Sequence, residues 1–241
     1  MTGKRDPLLA DYWAARPRTA FWPTRELSYR LGAVLAFGLG KLQATPNVVS
    51  LLSLLTAVSG LCGALWLLPF GLMQAVVIFV VLNLSYALDC ADGLIARVHG
   101  SGSRFGAFFD KFIDVLVLSA TVGALGSMAG EGQSQLVSLP PELGVAFALG
   151  VRLGLCVLMW LREFEGGLPD RREEDLRERN FGFYARKGIG ILCDQVFFIT
   201  VISMSWAMGV FWDAVWIYHC LLALFAAGYL AKLYREEEGS E

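Results

Sequence analysis

The chain has 241 residues, of which 56% are hydrophobic, and its mean hydropathy is +0.54. That composition excludes an ordinary soluble domain and points to a membrane protein. The net charge of −2 decides little by its size; the placement of the charges decides more.

Taken in order, residues 1–24 are expected to form a cytoplasmic tail. Trp13, Phe21 and Trp22 lie among Arg16, Arg18 and Arg25, which suits a membrane–water interface. The first 20 residues are polar and mixed in charge, so no cleavable signal peptide is expected. Residues 25–42 form a candidate amphipathic helix with Arg25, Arg30 and Lys41 at its ends. It is short and glycine-rich for a span, which places it along the membrane surface; the other reading is an ordinary transmembrane helix. Thr45-Pro46-Asn47 follows, with proline where a helix's first turn needs no donor.

Hydropathy then gives six spans, at 48–68, 72–97, 104–129, 141–163, 187–209 and 212–234. Each can cross a hydrocarbon core of roughly 30 Å at about 20 residues. The expected architecture is an all-α integral membrane bundle of six transmembrane helices with an N-terminal surface helix. Its parts are 1–46 (tail and interfacial helix), 47–235 (catalytic bundle) and 236–241 (cytoplasmic C-terminal tail). Lys and Arg concentrate before residue 42, around the 98–103 linker, between the fourth and fifth spans and after the last. The connections near 69–71, 130–140 and 210–211 contain none. The positive-inside rule therefore puts both termini on the cytoplasmic side. Residues 164–185 are the longest polar stretch, read either as a solvated charged helix or as the border of a phosphate-bearing substrate. The five cysteines lie in apolar runs without metal-ligand spacing and are read as small buried hydrophobes.

Four aspartates stand out from this apolar background. Asp89 and Asp92 are three apart, and Asp110 and Asp114 four apart, so each pair shares a helix face. A turn near Gly100-Ser-Gly102-Ser lets the pairs face each other across a helical hairpin, at the cytoplasmic ends of the second and third spans. Carboxylates in a membrane are costly and functional by default. Four together repel one another, and Arg97 and Lys111 neutralise only part of that charge. Hard divalent cations such as Mg²⁺ or Mn²⁺ suit such an oxygen set. The bland alternative is a set of ion pairs holding helices together.

The full pattern is Asp89-x2-Asp92-Gly93-x2-Ala96-Arg97-x8-Gly106-x3-Asp110-x3-Asp114. It resembles the signature of the CDP-alcohol phosphotransferase (CDP-alcohol phosphatidyltransferase) family of membrane enzymes, with every fixed position present. Thr45-Pro46-Asn47 before the first span adds to the likeness. The resemblance implies transfer of a phosphatidyl-type group from a CDP-linked lipid, such as CDP-diacylglycerol, to a polar alcohol, with release of CMP. It implies two divalent ions held or faced by Asp89, Asp92, Asp110 and Asp114. Asp114 is the general base, or else only completes the metal shell. The nucleotide site falls on Asp89, Asp92, Gly93, Ala96, Arg97, Gly106 and Asn47, the glycines staying small so that a diphosphate can approach the backbone. A homodimer is implied too, with membrane lipid around it; no nucleic acid is expected.

For an anionic acceptor the candidate cations are Arg152, Arg186 and Lys187. Arg152 lies within a span, where it needs an anionic partner, and pairing with Asp194 or snorkelling are its other readings. His99 is read as a solvated linker residue and His219 as an interhelical contact. Two rivals stay open. One is an aminoalcohol phosphotransferase using a soluble CDP-alcohol and diacylglycerol. The other is a cation- or proton-coupled transporter, disfavoured because the acids cluster in one hairpin only.

Overall fold

The computed structural model describes residues 6–17, 22–129, 140–164 and 194–238, and every regular element among them is helical. In chain order these are α1 (Leu9–Ala14), a π-helical turn (Thr24–Ser28), α2 (Tyr29–Lys41), α3 (Pro46–Leu67), α4 (Leu72–His99), α5 (Arg104–Ala129), α6 (Pro141–Phe164), α7 (Gln195–Met208) and α8 (Phe211–Glu238). Among the described residues three apolar stretches are long enough to cross a membrane: α3, α4 and Phe211–Gly228 of α8. α5 and α6 coincide with the third and fourth expected spans. Of the expected span 187–209, the described part is the 14-residue α7. The charged stretch beyond Phe164, with Arg186 and Lys187, lies outside the described residues.

The helix ends follow local chemistry. Extended Thr45 precedes α3, which starts on Pro46. α3 stops before extended Leu68, the residue ahead of Pro69, where helical backbone is disfavoured. α4 ends at His99 because Gly100 adopts the left-handed conformation at φ +65°, which costs glycine nothing. α5 begins at Arg104, with Ser103 Oγ accepting from the Gly106 amide at 2.9 Å. Helix α7 is capped by Asp194, whose carboxylate accepts from the Val196 and Phe197 amides at 2.9 and 3.2 Å.

Helix α4 is the axis of the bundle, packed against α2, α3 and α7. One core, built from Leu61, Ile78, Leu82, Leu125, Phe198, Ile202 and Trp206, joins α3, α4, α5 and α7. A second core joins α1, α2, α3 and the end of α4 through Tyr12, Ala33, Ala36, Val49, Leu94 and Ile95. The outer faces are apolar as well, with Leu55, Trp66, Val80, Met204 and Leu224 exposed, as expected of a surface that meets lipid. Cys90 is buried as expected, whereas Cys62 and Cys220 lie on these outer faces, because an apolar run on a lipid-facing helix need not be covered by protein.

The described residues before the π-helical turn include the helix α1. α1 is short, yet Tyr12 within it is only 2% exposed. Asp11 closes the start of α1 by accepting from the Leu8 amide at 2.8 Å.

Candidate active site

The chain leaves α4 through the Gly100 turn, and α4 and α5 both pack against α3. That brings the two aspartate pairs together. One carboxylate oxygen from each of Asp89, Asp92 and Asp110 lies within 4.8 Å of the others. Asp92 is buried, while Asp89, Asp110 and Asp114 are half-buried. Such an all-oxygen set from two rigid helices fits a hard divalent cation by its donor chemistry.

Asp114 stands beside this triad. Lys111 Nζ contacts Asp110 Oδ2 at 3.0 Å and Asp114 Oδ2 at 3.2 Å, so one ammonium ties the two carboxylates of α5. The arrangement keeps Asp114 next to the cluster, sharing the Lys111 cation with Asp110.

The aspartates face a cavity of about 260 Å³, lined also by Gly93, Arg97 and Lys111 and walled by Tyr29 and Tyr86. Burial pushes the Tyr29 phenol above its ordinary range, so it stays a neutral donor at the cavity edge. Below it lies a second space of about 20 Å³, enough for about one water. Asp89, Asp114 and Tyr86 border both spaces; Ser53, Ser85, Thr121 and Gln195 make the deeper one polar.

Gly93 forms part of the cavity wall, and a Cβ there would stand 3.3 Å from both terminal nitrogens of Arg97. Ala96, Gly106 and Asn47 are not among the residues that line this cavity. A Cβ on Gly106 would meet Ser103 Oγ at 3.1 Å and Asn47 Oδ1 at 3.5 Å, so the start of α3 is held close to the start of α5. Ala96 is half-buried in the last turns of α4, its carbonyl accepting from Ser101 at 3.0 Å.

Several residues here were not anticipated. Ser50 of α3 donates to the buried Asp92 carboxylate. It lies one turn after Asn47, so its face could have been read from helical spacing. Tyr86 is one turn before Asp89 and was legible in the same way. Tyr29 reaches the cavity from α2, which no local spacing reveals.

The acceptor candidates are less concentrated. Arg152 is buried in α6, away from the lining of the larger cavity. Its guanidinium stacks 3.9 Å over Phe198 of α7 and donates to Tyr218 of α8 at 3.3 Å. Phe198 lines the deeper space, so Arg152 stands one ring behind it. Asp194 does not supply Arg152's anion in the contacts described; its carboxylate accepts from Thr24 Oγ1 at 2.7 Å and caps α7. His99 is not a linker residue, because α4 continues to include it; its Nε2 bonds the Tyr12 hydroxyl at 2.8 Å. His219 is an interhelical contact, edge-on to Phe198 with centroids 6.0 Å apart.

Comparison with known proteins bears on this geometry. Residues 43–164 match the sequence profile of the CDP-alcohol phosphatidyltransferases, half of the chain and the whole aspartate hairpin. The chain is similar to the phosphatidylinositol phosphate synthase of Mycobacterium tuberculosis, 40% identical over 88 residues, which is 35% of this chain and 37% of that protein. Its likeness to the same-named protein of Mycobacterium marinum is 37% over 94 residues, 38% of this chain and 37% of that one. For the Corynebacterium glutamicum protein of that name it is 36% over 85 residues, 35% and 36% of the two chains. The chain therefore spans a little over a third of the length of the curated relatives it matches.

Proposed function

The chain belongs to the CDP-alcohol phosphatidyltransferase family, and from that membership we propose that it makes a phospholipid by moving a phosphatidyl group from CDP-diacylglycerol to a polar alcohol, releasing CMP. The observation that carries this reading is the carboxylate triad of Asp89, Asp92 and Asp110 on the wall of a cavity of about 260 Å³. The rest of the motif stands at family spacing around it.

Asp89, Asp92 and Asp110 would hold a divalent ion, Mg²⁺ or Mn²⁺, with Asp114 completing a second site or acting beside it. When bound, such ions would offset the charge of the diphosphate and of the leaving CMP. Arg97 would meet the diphosphate over Gly93, where the absence of a side chain lets the substrate close on the backbone. Asp114 is the proposed general base, taking the proton from the acceptor hydroxyl as it attacks phosphorus. Its position outside the triad, beside the deeper polar space, supports that division of labour. Lys111 would hold the Asp114 carboxylate in place between proton transfers. Tyr29 and Tyr86 would close the sides of the site.

The acceptor proposed is an inositol phosphate. The names of the relatives support it, as does the cluster of cations at 171–187. Arg186 and Lys187, at the start of the fifth span, would meet the acceptor's phosphate, with Arg152 behind Phe198 as a further candidate. In the same reading the protein is a homodimer of six-span subunits, 47–235 forming the catalytic bundle. The helix of residues 25–42 lies at the interface, and both termini and the site face the cytoplasm. The charge distribution along the chain supports this orientation.

The test is CMP release by the purified protein in liposomes containing CDP-diacylglycerol, with Mg²⁺ or Mn²⁺. Inositol phosphate, glycerol 3-phosphate, inositol, serine and choline are supplied in parallel, and lipid products are identified by mass spectrometry. CMP with a phosphatidylinositol phosphate product supports the whole reading. Turnover with another acceptor keeps the donor and replaces the acceptor. Turnover only with CDP-choline or CDP-ethanolamine and diacylglycerol moves the protein to the aminoalcohol branch. Absence of metal-dependent cytidine nucleotide binding overturns the transferase reading.

A further inference from the structure

The N-terminal segment that the sequence offers as a tail is docked on the most exposed part of the site. Two bonds hold it there. The Tyr12 hydroxyl meets His99 Nε2 at 2.8 Å, and the Ala15 carbonyl accepts from Arg97 Nε at 2.8 Å. Tyr12 and Ala15 are one helical turn apart, linked by the Ala15 amide donating to the Asp11 and Tyr12 carbonyls at 3.0 and 3.2 Å. His99 and Arg97 are the last residues of α4 to turn toward this segment. A short rigid piece of α1 thus grips the end of α4 at two points.

The fit around the grip is close. Gly40 of α2 faces the Tyr12–His99 bond, where a Cβ would collide with the Tyr12 hydroxyl and stand 3.3 Å from His99 Nε2. Tyr12 is 2% exposed, its ring edge-on to Phe37 with centroids 6.3 Å apart. Burial raises its phenol above the ordinary value, which keeps the hydroxyl protonated. Beyond Ala15, Arg16 folds back 3.8 Å over the Trp13 ring and donates to the Trp13 carbonyl at 2.7 Å, closing the segment.

Arg97 is otherwise exposed, and a long arginine on a helix surface samples many rotamers. Here its Nε is fixed by a main-chain carbonyl from outside the bundle. Its two terminal nitrogens then lie over Gly93 in the cavity wall. The guanidinium is therefore aimed before any substrate arrives, which favours binding by reducing what must be ordered on association.

We propose that residues 9–16 are a positioning strap that presets Arg97 for the diphosphate of the nucleotide donor, with Tyr12 the positioning residue that fixes the strap to His99. This deepens the reading of the site as a CDP-lipid transferase and rests on it.

The test compares Tyr12→Phe and His99→Ala with the unaltered protein in CDP-diacylglycerol-dependent CMP release, alone and in an Arg97→Lys background. Lysine keeps a charge but has no Nε–H for the Ala15 carbonyl to hold. Tyr12→Phe keeps the ring in its pocket; extraction yield and gel-filtration profile report the fold. The expected result is a KM for the CDP-lipid raised about five- to tenfold, the size of one lost hydrogen bond, with kcat within about twofold. His99→Ala gives a similar rise, and the pair together gives no more than either. In Arg97→Lys, Tyr12→Phe has no further effect on KM. An unchanged KM in folded Tyr12→Phe and His99→Ala overturns the strap while leaving the transferase reading intact. So does a KM rise that persists undiminished with Lys at position 97, since that marks a purely structural role. Failure of the unaltered protein to release CMP from the CDP-lipid overturns the donor reading, and the strap's role with it.

Discussion

The Ser50 hydroxyl, on α3, donates to the buried carboxylate of Asp92, on α4. It fixes the carboxylate of a triad member. Partners that orient ligating groups typically control metal affinity by about 10- to 100-fold. Ser50→Ala is therefore expected to weaken activation by Mg²⁺ or Mn²⁺ within that range, with maximal CMP release at saturating metal reduced much less. Metal titration of activity checks this, and identical titration curves for both proteins refute it.

Asp110 couples the two halves of the site. It joins the triad through one oxygen set and meets Lys111 Nζ at 3.0 Å. Asp110→Asn keeps the shape and removes the charge. CMP formation is expected to fall by at least about 100-fold, the scale of losing a group that acts on the transition state. The protein is expected to remain extractable and monodisperse. Chelation of divalent ions should abolish activity in the unaltered protein, and Mg²⁺ or Mn²⁺ should restore it. Full activity in Asp110→Asn removes the metal assignment.

The aspartate hairpin was legible because its information is local. Two i,i+3 and i,i+4 pairs joined by a glycine-containing turn can be placed from helix geometry alone, and the structure puts Asp89, Asp92 and Asp110 together. Helix limits were legible for a similar reason: Pro46 and Gly100 mark helix ends by their backbone chemistry. What could not be read depends on contacts distant in sequence. Tyr12 meets His99 across 87 residues, and Thr24 meets Asp194 across 170. Neither pair carries a spacing rule. The short α1 also lacks the length that makes hydrophobic periodicity visible, so its single buried tyrosine carries no sequence signal of its own.

Thr24 is a second anchor for the N-terminal region. It is 5% exposed, donates to Asp194 Oδ2 at 2.7 Å, and lies 3.5 Å from the Tyr86 hydroxyl in the cavity wall. Asp194 at the same time caps α7. Thr24→Val keeps the volume and removes the hydroxyl, leaving a buried carboxylate oxygen short of a donor. Such a loss costs about 1–3 kcal/mol. A lower thermal unfolding midpoint in detergent is expected, with a smaller shift for Thr24→Ser, which restores the hydroxyl. An unchanged midpoint in Thr24→Val would refute the role of the hydroxyl.

Arg152 offers a choice between two roles that measurement separates. Its guanidinium spans three helices, stacked over Phe198 of α7 and bonded to Tyr218 of α8 from its own place on α6. A desolvated cation–π contact is worth about 2 kcal/mol, and its planar stacking is not reproduced by lysine. If the residue is a tie between helices, Arg152→Lys lowers the unfolding midpoint while the KM for the acceptor stays within about twofold. If the residue reads the acceptor's phosphate from behind Phe198, the same change raises acceptor KM, and raises it for inositol phosphate but not for inositol. The tie is the expected outcome, because Phe198 stands between the guanidinium and the deeper space and Arg152 is absent from the lining of both cavities. A selective rise with the phosphorylated acceptor alone would return Arg152 to the substrate site.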